Sequence, residues 1–127
     1  MSVITPKKKD LAWLLINLNK AIEYVFKSKG YNDKYQGVPQ IKWHKIMSKQ
    51  EKRHITVEVL RDILPSMAHK YKLSNAQVKN ILKKYKDTDI TLLITKPLNK
   101  LEFAKKIFGS ITESIDNDII ESVADKI

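Results

Sequence analysis

The chain has 127 residues, of which 43% are hydrophobic and 30% charged, and its formal net charge is +10. This length predicts a single domain, residues 1–127. The share of apolar side chains is enough for a core, so the composition excludes a disordered polyelectrolyte. The absence of cysteine and of any run near the ~20 apolar residues of a membrane span excludes disulfides and thiolate metal sites, and predicts an intracellular, cytoplasmic protein with no membrane partner.

The first predicted helix runs over about residues 6 to 29, with Thr5 as its cap, Pro6 at its first position and Gly30 at its end. Apolar residues at three- and four-residue spacing build one stripe along it: Leu11, Leu14, Leu15, Leu18, Ile22, Val25 and Phe26. The basic run Lys7 to Lys9 before this stripe imitates a signal peptide. No small-residue cleavage site follows, so we interpret the segment as a core helix.

Residues 30 to 40 form the clearest predicted loop, because turn-forming residues cluster there. A short helix over about 41 to 52 follows, and three of its residues are predicted to face inward: Ile41, Ile46 and Met47. Another helix is predicted to begin near Thr56. Because proline removes a helical hydrogen bond and clashes with the preceding turn, Pro65 predicts a kink or a new helix that reaches about Tyr71.

Ser74 with Gln77 forms a capping box, which predicts a helix reaching about Lys86. Residues 87 to 97 are compatible with either a short strand near residue 90 or a buried helical turn. Two further helices are predicted, one that ends before Gly109 and one over about 111 to 126 whose apolar stripe is Ile111, Ile115, Ile119 and Val123. The fold class is therefore all-α: a compact bundle of five to seven helices with at most one short strand.

Charged side chains are unevenly distributed along the chain. No acidic residue occurs between Ile63 and Lys86, where six lysines stand: Lys70, Lys72, Lys79, Lys83, Lys84 and Lys86. Five acidic residues follow near the C-terminus: Glu113, Asp116, Asp118, Glu121 and Asp125. This polarity predicts a basic face on which a polyanion docks. The alternative is a solvated lysine surface that keeps the protein soluble.

Four small or apolar residues around the predicted turn at Lys72 have spacings that suit two crossing helices. A small residue, Ala68, permits a close crossing, Leu73 plugs the junction, and two residues turn the second helix toward the core: Val78 and Ile81. At these positions residues 64 to 83 resemble the helix-turn-helix DNA-binding superfamily. The family usually has glycine where this chain has Lys72, and lysine adopts the left-handed conformation at a cost of about 1 kcal/mol.

The resemblance implies a DNA-binding protein, such as a transcription regulator or replication factor, whose second helix enters the major groove. The outer face of that helix would then contact bases: Asn75, Lys79, Asn80 and Lys83. Four lysines would contact phosphates: Lys70, Lys72, Lys84 and Lys86. DNA is favoured over RNA as the partner, and the terminal helices are candidates for a homodimer interface.

Two other functions remain open from the sequence. Aromatic side chains near lysines suit stacking on single strands, as in a sequence-independent single-strand DNA or RNA subunit of a CRISPR-type or replication complex: Tyr31, Tyr35 and Trp43. Trp43 alternatively anchors the helix that follows the loop. The second function is a protein-interaction module, such as an inhibitor, whose basic face docks an acidic partner.

Catalytic motifs are not evident in the sequence. The three histidines, His44, His54 and His69, have no partner at zinc-ligand spacing, and no glycine-rich phosphate loop occurs. The sequence therefore predicts neither catalytic residues nor a metal site nor a cofactor, and favours binding over catalysis.

Overall fold

A computed structural model describes the backbone of residues 7–124 and the side chains of residues 7–111. Seven α-helices occur in this range: α1 (Lys8–Ser28), α2 (Tyr31–Lys34), α3 (Trp43–Ile46), α4 (Lys49–Tyr71), α5 (Asn75–Tyr85), α6 (Ile90–Leu93) and α7 (Pro97–Ala124). A 3-10 turn, Gln40–Lys42, leads into α3. The predicted all-α bundle is confirmed.

Helices α1 and α4 lie side by side and run in opposite directions. The Tyr71 hydroxyl at the end of α4 donates to Asp10 in the first turn of α1 at 2.9 Å. At the other end, Lys29 directly after α1 lies 3.9 Å from Glu58 of α4. Helix α7 packs against α1 and α5, and α5 packs against α4. This arrangement places the turn between α4 and α5 beside the N-terminus of α1.

The buried apolar side chains form one cluster, to which α1, α4 and α7 contribute most. The predicted stripe of α1 supplies five buried members: Leu14, Leu18, Ile22, Val25 and Phe26. Its other two residues, Leu11 and Leu15, are half-buried against the cluster. The helix begins at Lys8 with Lys7 at its cap position, whereas the predicted cap residues Thr5 and Pro6 lie outside the described residues.

The new helix predicted at Pro65 is wrong, because α4 continues through the proline as one helix of 23 residues, and a kink there stays a prediction. Proline within a helix costs about 3 kcal/mol. Three neighbouring side chains are buried in the core: Ile63, Leu64 and Met67. Since burial of each such side chain contributes about 1.5–3 kcal/mol, their packing outweighs the cost of the proline, which itself is exposed.

The single helix predicted over residues 41 to 52 is also wrong, because helical structure is interrupted at Met47. The next helix, α4, begins at Lys49 rather than near Thr56. Ser48 Oγ accepts from the backbone N–H of Glu51 at 3.1 Å, and a Glu51 carboxylate oxygen accepts from the Ser48 N–H at 3.2 Å. This capping box starts the helix. Met47 is buried as predicted, whereas Ile41 and Ile46 are 56% and 49% exposed.

Residues 90–93 form the helical turn α6, so the alternative of a short strand is wrong. Asp89 caps this turn, because its carboxylate accepts from the Thr91 backbone N–H at 2.9 Å. The two predicted C-terminal helices are one, α7, which continues through Gly109. Burial of Phe108 and Ile111 on either side offsets the cost of about 1 kcal/mol for a helical glycine. The rest of the predicted C-terminal stripe, namely Ile115, Ile119 and Val123, lies outside the described side chains.

Candidate nucleic-acid interface

The turn that joins α4 to α5 contains a left-handed lysine. Lys72 has φ 55° and ψ 49°, and among residues 7–124 it is the one non-glycine residue with positive φ. The backbone N–H of Leu73 donates to the carbonyl of Ala68 at 3.0 Å, which closes the end of α4. The Leu73 side chain packs partly buried against the core. The conformation expected at the position where helix-turn-helix units carry glycine is thus present at Lys72.

Helix α5 is capped at its start and anchored along one face. Ser74 Oγ accepts from the Gln77 N–H at 3.2 Å, and Gln77 Oε1 accepts from the Ser74 N–H at 2.7 Å, which confirms the predicted capping box. Ile81 and Tyr85 are buried, and Val78 is partly buried against the core. This inward face fixes the rotation of α5 about its own axis.

Tyr85 ties the end of α5 to α7. Its hydroxyl donates to the backbone carbonyl of Lys106 at 2.8 Å and lies 2.5 Å from the hydroxyl of Ser110. Its ring packs nearly perpendicular to that of Phe103, with the centroids 5.7 Å apart. Because both ends of α5 are held, the side chains on its outer face project from a rigid element.

The outer face of α5 carries the four residues that the sequence predicts for base contacts. All four are exposed, and the name "α5 face" refers to them below: Asn75, Lys79, Asn80 and Lys83. At 3.6 residues per turn they span an arc of about 140° opposite the buried face. Four polar, hydrogen-bonding side chains and the small exposed Ala76 therefore make up this side of the helix.

The lysines of the α5 face take part in none of the ion pairs found among residues 7–111. Among residues 7–111, the carboxylates found in ion pairs are Glu51, Glu58, Asp87 and Asp89, and their partners lie on α4 or at the ends of α1 and α2. None of these pairs involves Lys79 or Lys83. Lys79 and Lys83 thus have no carboxylate partner among residues 7–111, and a polyanion that binds such lysines releases its own condensed counterions.

The two aspartates that follow α5 in the chain are turned away from it. Asp87 lies 2.6 Å from the guanidinium of Arg53, and Asp89 lies 3.3 Å from the ammonium group of Lys52. Both partners stand near the start of α4. The acidic residues closest to α5 in sequence are therefore engaged by other cations.

The four predicted phosphate contacts occupy different positions. Lys72 is exposed in the turn, and Lys86 is half-buried at the end of α5. Lys84 turns toward α7, where its ammonium group donates to Ser110 Oγ at 3.1 Å. Lys70 is exposed, with its ammonium group 5.3 Å from the centre of the Trp13 ring. The fold thus places Lys70 and Lys72 beside the N-terminus of α1, and Lys84 at the border with α7.

Two of the three aromatic residues proposed for base stacking are buried in the protein. Trp43 is 2% exposed, packs on Phe26 at 4.7 Å and donates from its indole N–H to the Val38 carbonyl at 3.0 Å. Tyr31 is 7% exposed, and its hydroxyl lies 2.7 Å from His54 Nδ1. Tyr35 is half-buried and donates to the Glu51 carboxylate. Because Tyr31 and Trp43 are buried, the prediction that their rings stack on bases is wrong, whereas stacking on Tyr35 stays a prediction.

Among the residues that the structure describes, no three histidine, aspartate or glutamate side chains gather as metal ligands. In the same residues, no helix is long and apolar enough to cross a membrane. Comparison of the chain with protein-family models, curated proteins and solved structures gives no match. A functional proposal therefore depends on the chemistry of the α5 face and its surroundings.

Proposed function

We propose that this protein binds duplex DNA, as a regulator or replication factor does, by placing the α5 face in the major groove. The observation that carries the proposal is the contrast between the two sides of α5. One side is anchored in the core, while the other presents Lys79 and Lys83 without an acidic partner among residues 7–111. An α-helix of this kind fits the major groove of B-DNA, whereas the deep, narrow major groove of RNA does not admit it.

Lysines around the α5 face would supply most of the affinity. Lys72 in the turn and Lys86 at the helix end lie on either side of it, and each phosphate contact releases condensed counterions. Each such contact contributes about 0.9 to the slope of log K against log salt concentration for duplex DNA. Binding is therefore expected to weaken steeply as salt is added.

Asparagines on the α5 face would supply sequence preference. An asparagine amide pairs with the N6 and N7 edge of adenine through two hydrogen bonds, and lysine approaches guanine or phosphate. Asn75 stands at the start of α5 and Asn80 one and a half turns later, so they meet different base pairs. Replacing Asn80 with alanine is expected to reduce discrimination by about 1–3 kcal/mol at one position of the site.

The test is a binding titration with duplex and single-stranded DNA at two salt concentrations. We compare the wild type with K79A/K83A and with K20A/K27A, which removes the same charge from exposed positions on α1. We expect K79A/K83A to lower duplex affinity and to reduce the salt slope by up to about 1.8, the value reached if both lysines contact phosphate. The α1 control should change both far less, because Lys20 and Lys27 lie in the later turns of α1, while only its first turn stands beside the α4–α5 turn.

Three results would overturn the proposal. Equal losses in K79A/K83A and K20A/K27A would mean that net charge, and not the α5 face, determines binding. Tighter binding to single strands would favour the single-strand subunit. Absence of any nucleic-acid binding at low salt would favour a protein-interaction module with an acidic partner.

A further inference from the structure

The N-terminus of α1 is fastened to the turn between α4 and α5. Asp10 Oδ1 accepts from the hydroxyl of Tyr71, the last residue of α4, at 2.9 Å. Its other oxygen accepts from the Lys7 backbone N–H at 3.0 Å. Because Lys72 directly follows Tyr71, the first turn of α1 lies next to the left-handed turn that leads into α5.

Packing around Tyr71 makes this junction rigid. Its ring meets Trp13 and Phe108 edge-on, with centroids 6.1 and 5.4 Å away. Burial of the ring and the hydrogen bond to Asp10 raise the pKa of Tyr71, and hydrogen bonds from Lys7 and Tyr71 lower the pKa of Asp10. At neutral pH, the neutral hydroxyl therefore donates to an ionised carboxylate, and the link persists.

Three consecutive lysines stand at this junction. Lys7, Lys8 and Lys9 are exposed, and none of them takes part in the ion pairs found among residues 7–111. The one carboxylate in the same turn, Asp10, accepts hydrogen bonds from Tyr71 and the Lys7 N–H, and the charges of Lys9 and Lys70 also act on it, so three lysines in this turn face a single carboxylate. The run thus extends the positive surface of Lys70 and Lys72 toward the N-terminus.

We infer that the segment Lys7 to Lys9 is a second phosphate-binding element, which grips the DNA backbone beside the groove that the α5 face enters. This inference rests on the proposed function and adds a second contact to it. The fastening between Asp10 and Tyr71 sets the position of the segment relative to α5. Its lysines contact sugar-phosphate only, so they add affinity without sequence preference.

The first experiment compares K7A/K8A/K9A with the charge-matched control K20A/K27A/K45A, whose three lysines are also exposed. Removing three phosphate contacts is expected to reduce the salt slope for duplex DNA by up to about 2.7. The ranking of target sequences should stay unchanged. Equal slopes in the two triple variants would overturn the inference.

The second experiment uses the absence of cysteine from the chain. A photo-crosslinker attached to K8C should couple to duplex DNA, whereas the same group on K27C should not. Loss of the K8C product in the presence of excess unlabelled duplex would show that the crosslink reports bound DNA. Equal coupling at both positions would also refute the inference.

The two proposals fail in different ways. If K79A/K83A weakens binding while K7A/K8A/K9A behaves like its control, only the second phosphate-binding element is lost. If the wild type does not bind duplex, or if K79A/K83A behaves like K20A/K27A, the proposed function itself is lost. The thermal midpoint of each variant, measured without DNA, separates lost contacts from lost folding.

Discussion

Replacing Lys72 with glycine should stabilise the protein while weakening its binding to DNA. Lys72 has φ 55°, where a Cβ atom crowds the backbone at a cost of about 1 kcal/mol and glycine has no such cost. The Lys72 side chain is exposed, so its loss opens no cavity. K72G is therefore expected to raise the free energy of unfolding by about 1 kcal/mol relative to K72A, which keeps the Cβ atom.

The expected change is large enough to measure by thermal unfolding. Unfolding entropy amounts to about 2.1 cal/mol/K per residue, or about 0.27 kcal/mol/K for 127 residues. A difference of about 1 kcal/mol then separates the Tm values of K72G and K72A by about 4 °C. Denaturant unfolding at constant temperature provides an independent value.

Lys70 offers a matched control for this prediction, because it lies in the last turn of α4 with helical backbone. There the order reverses, and K70A should be more stable than K70G by about 1 kcal/mol. In the DNA titration, K72G and K72A should behave alike, since both lack the same ammonium group. If K72G is no more stable than K72A, the left-handed turn is refuted.

Three further predictions concern the supports of the fold. S74A removes the side-chain acceptor of the α5 cap and should cost about 1 kcal/mol in denaturant unfolding, and an unchanged midpoint would show that the cap is dispensable. Burial raises the pKa of Glu51, but hydrogen bonds from Lys34 and Tyr35 outweigh it and hold the pKa at about 2, below its ordinary 4.5. The contribution of ionised Glu51 to stability is therefore complete above pH 4.5 and disappears toward pH 2. In E51Q, the urea midpoint of unfolding should depend less on pH between pH 2 and 4.5 than in the wild type. The same pH dependence in both proteins would contradict this prediction. W43A should cost about 3–5 kcal/mol and affect DNA binding only through unfolding, whereas a folded W43A that loses single-strand binding alone would restore the stacking function.

Local patterns in the sequence were sufficient to locate α1 and α5, but periodicity alone did not locate the start of α4. In α1 and α5, an apolar stripe at helical spacing starts within the first turns, so periodicity locates the helix. In α4, the first six residues are charged or polar, and the first buried apolar side chain is Ile55. Periodicity alone therefore places the start near Thr56. The pattern of Ser48 with Glu51 is the signal that marks the true start.

The features of the candidate site also differ in how far the local sequence predicts them. Exposure of the α5 face follows from the cap at Ser74 and the inward residue Ile81, which together set the rotation of the helix. Burial of Trp43 depends on its contacts with Phe26 of α1 and with the Val38 carbonyl, and no sequence pattern predicts either contact. The sequence did not predict that the basic run from Lys7 lies beside the α4–α5 turn, because the hydrogen bond that joins them connects Asp10 and Tyr71, which are 61 positions apart.

Local arrangement of charge, rather than the total of +10, decides where a polyanion can bind. The 23 residues of α4 extend over about 34 Å at about 1.5 Å per residue, while charges in physiological salt are screened beyond about 8 Å. The paired carboxylate Glu51 at the start of α4 therefore exerts little effect on a strand held near Lys72 at its other end. Asp87 is held at 2.6 Å by Arg53, which also stands near the start of α4. The lysines around the α4–α5 turn thus act as a local site whose strength does not follow from net charge.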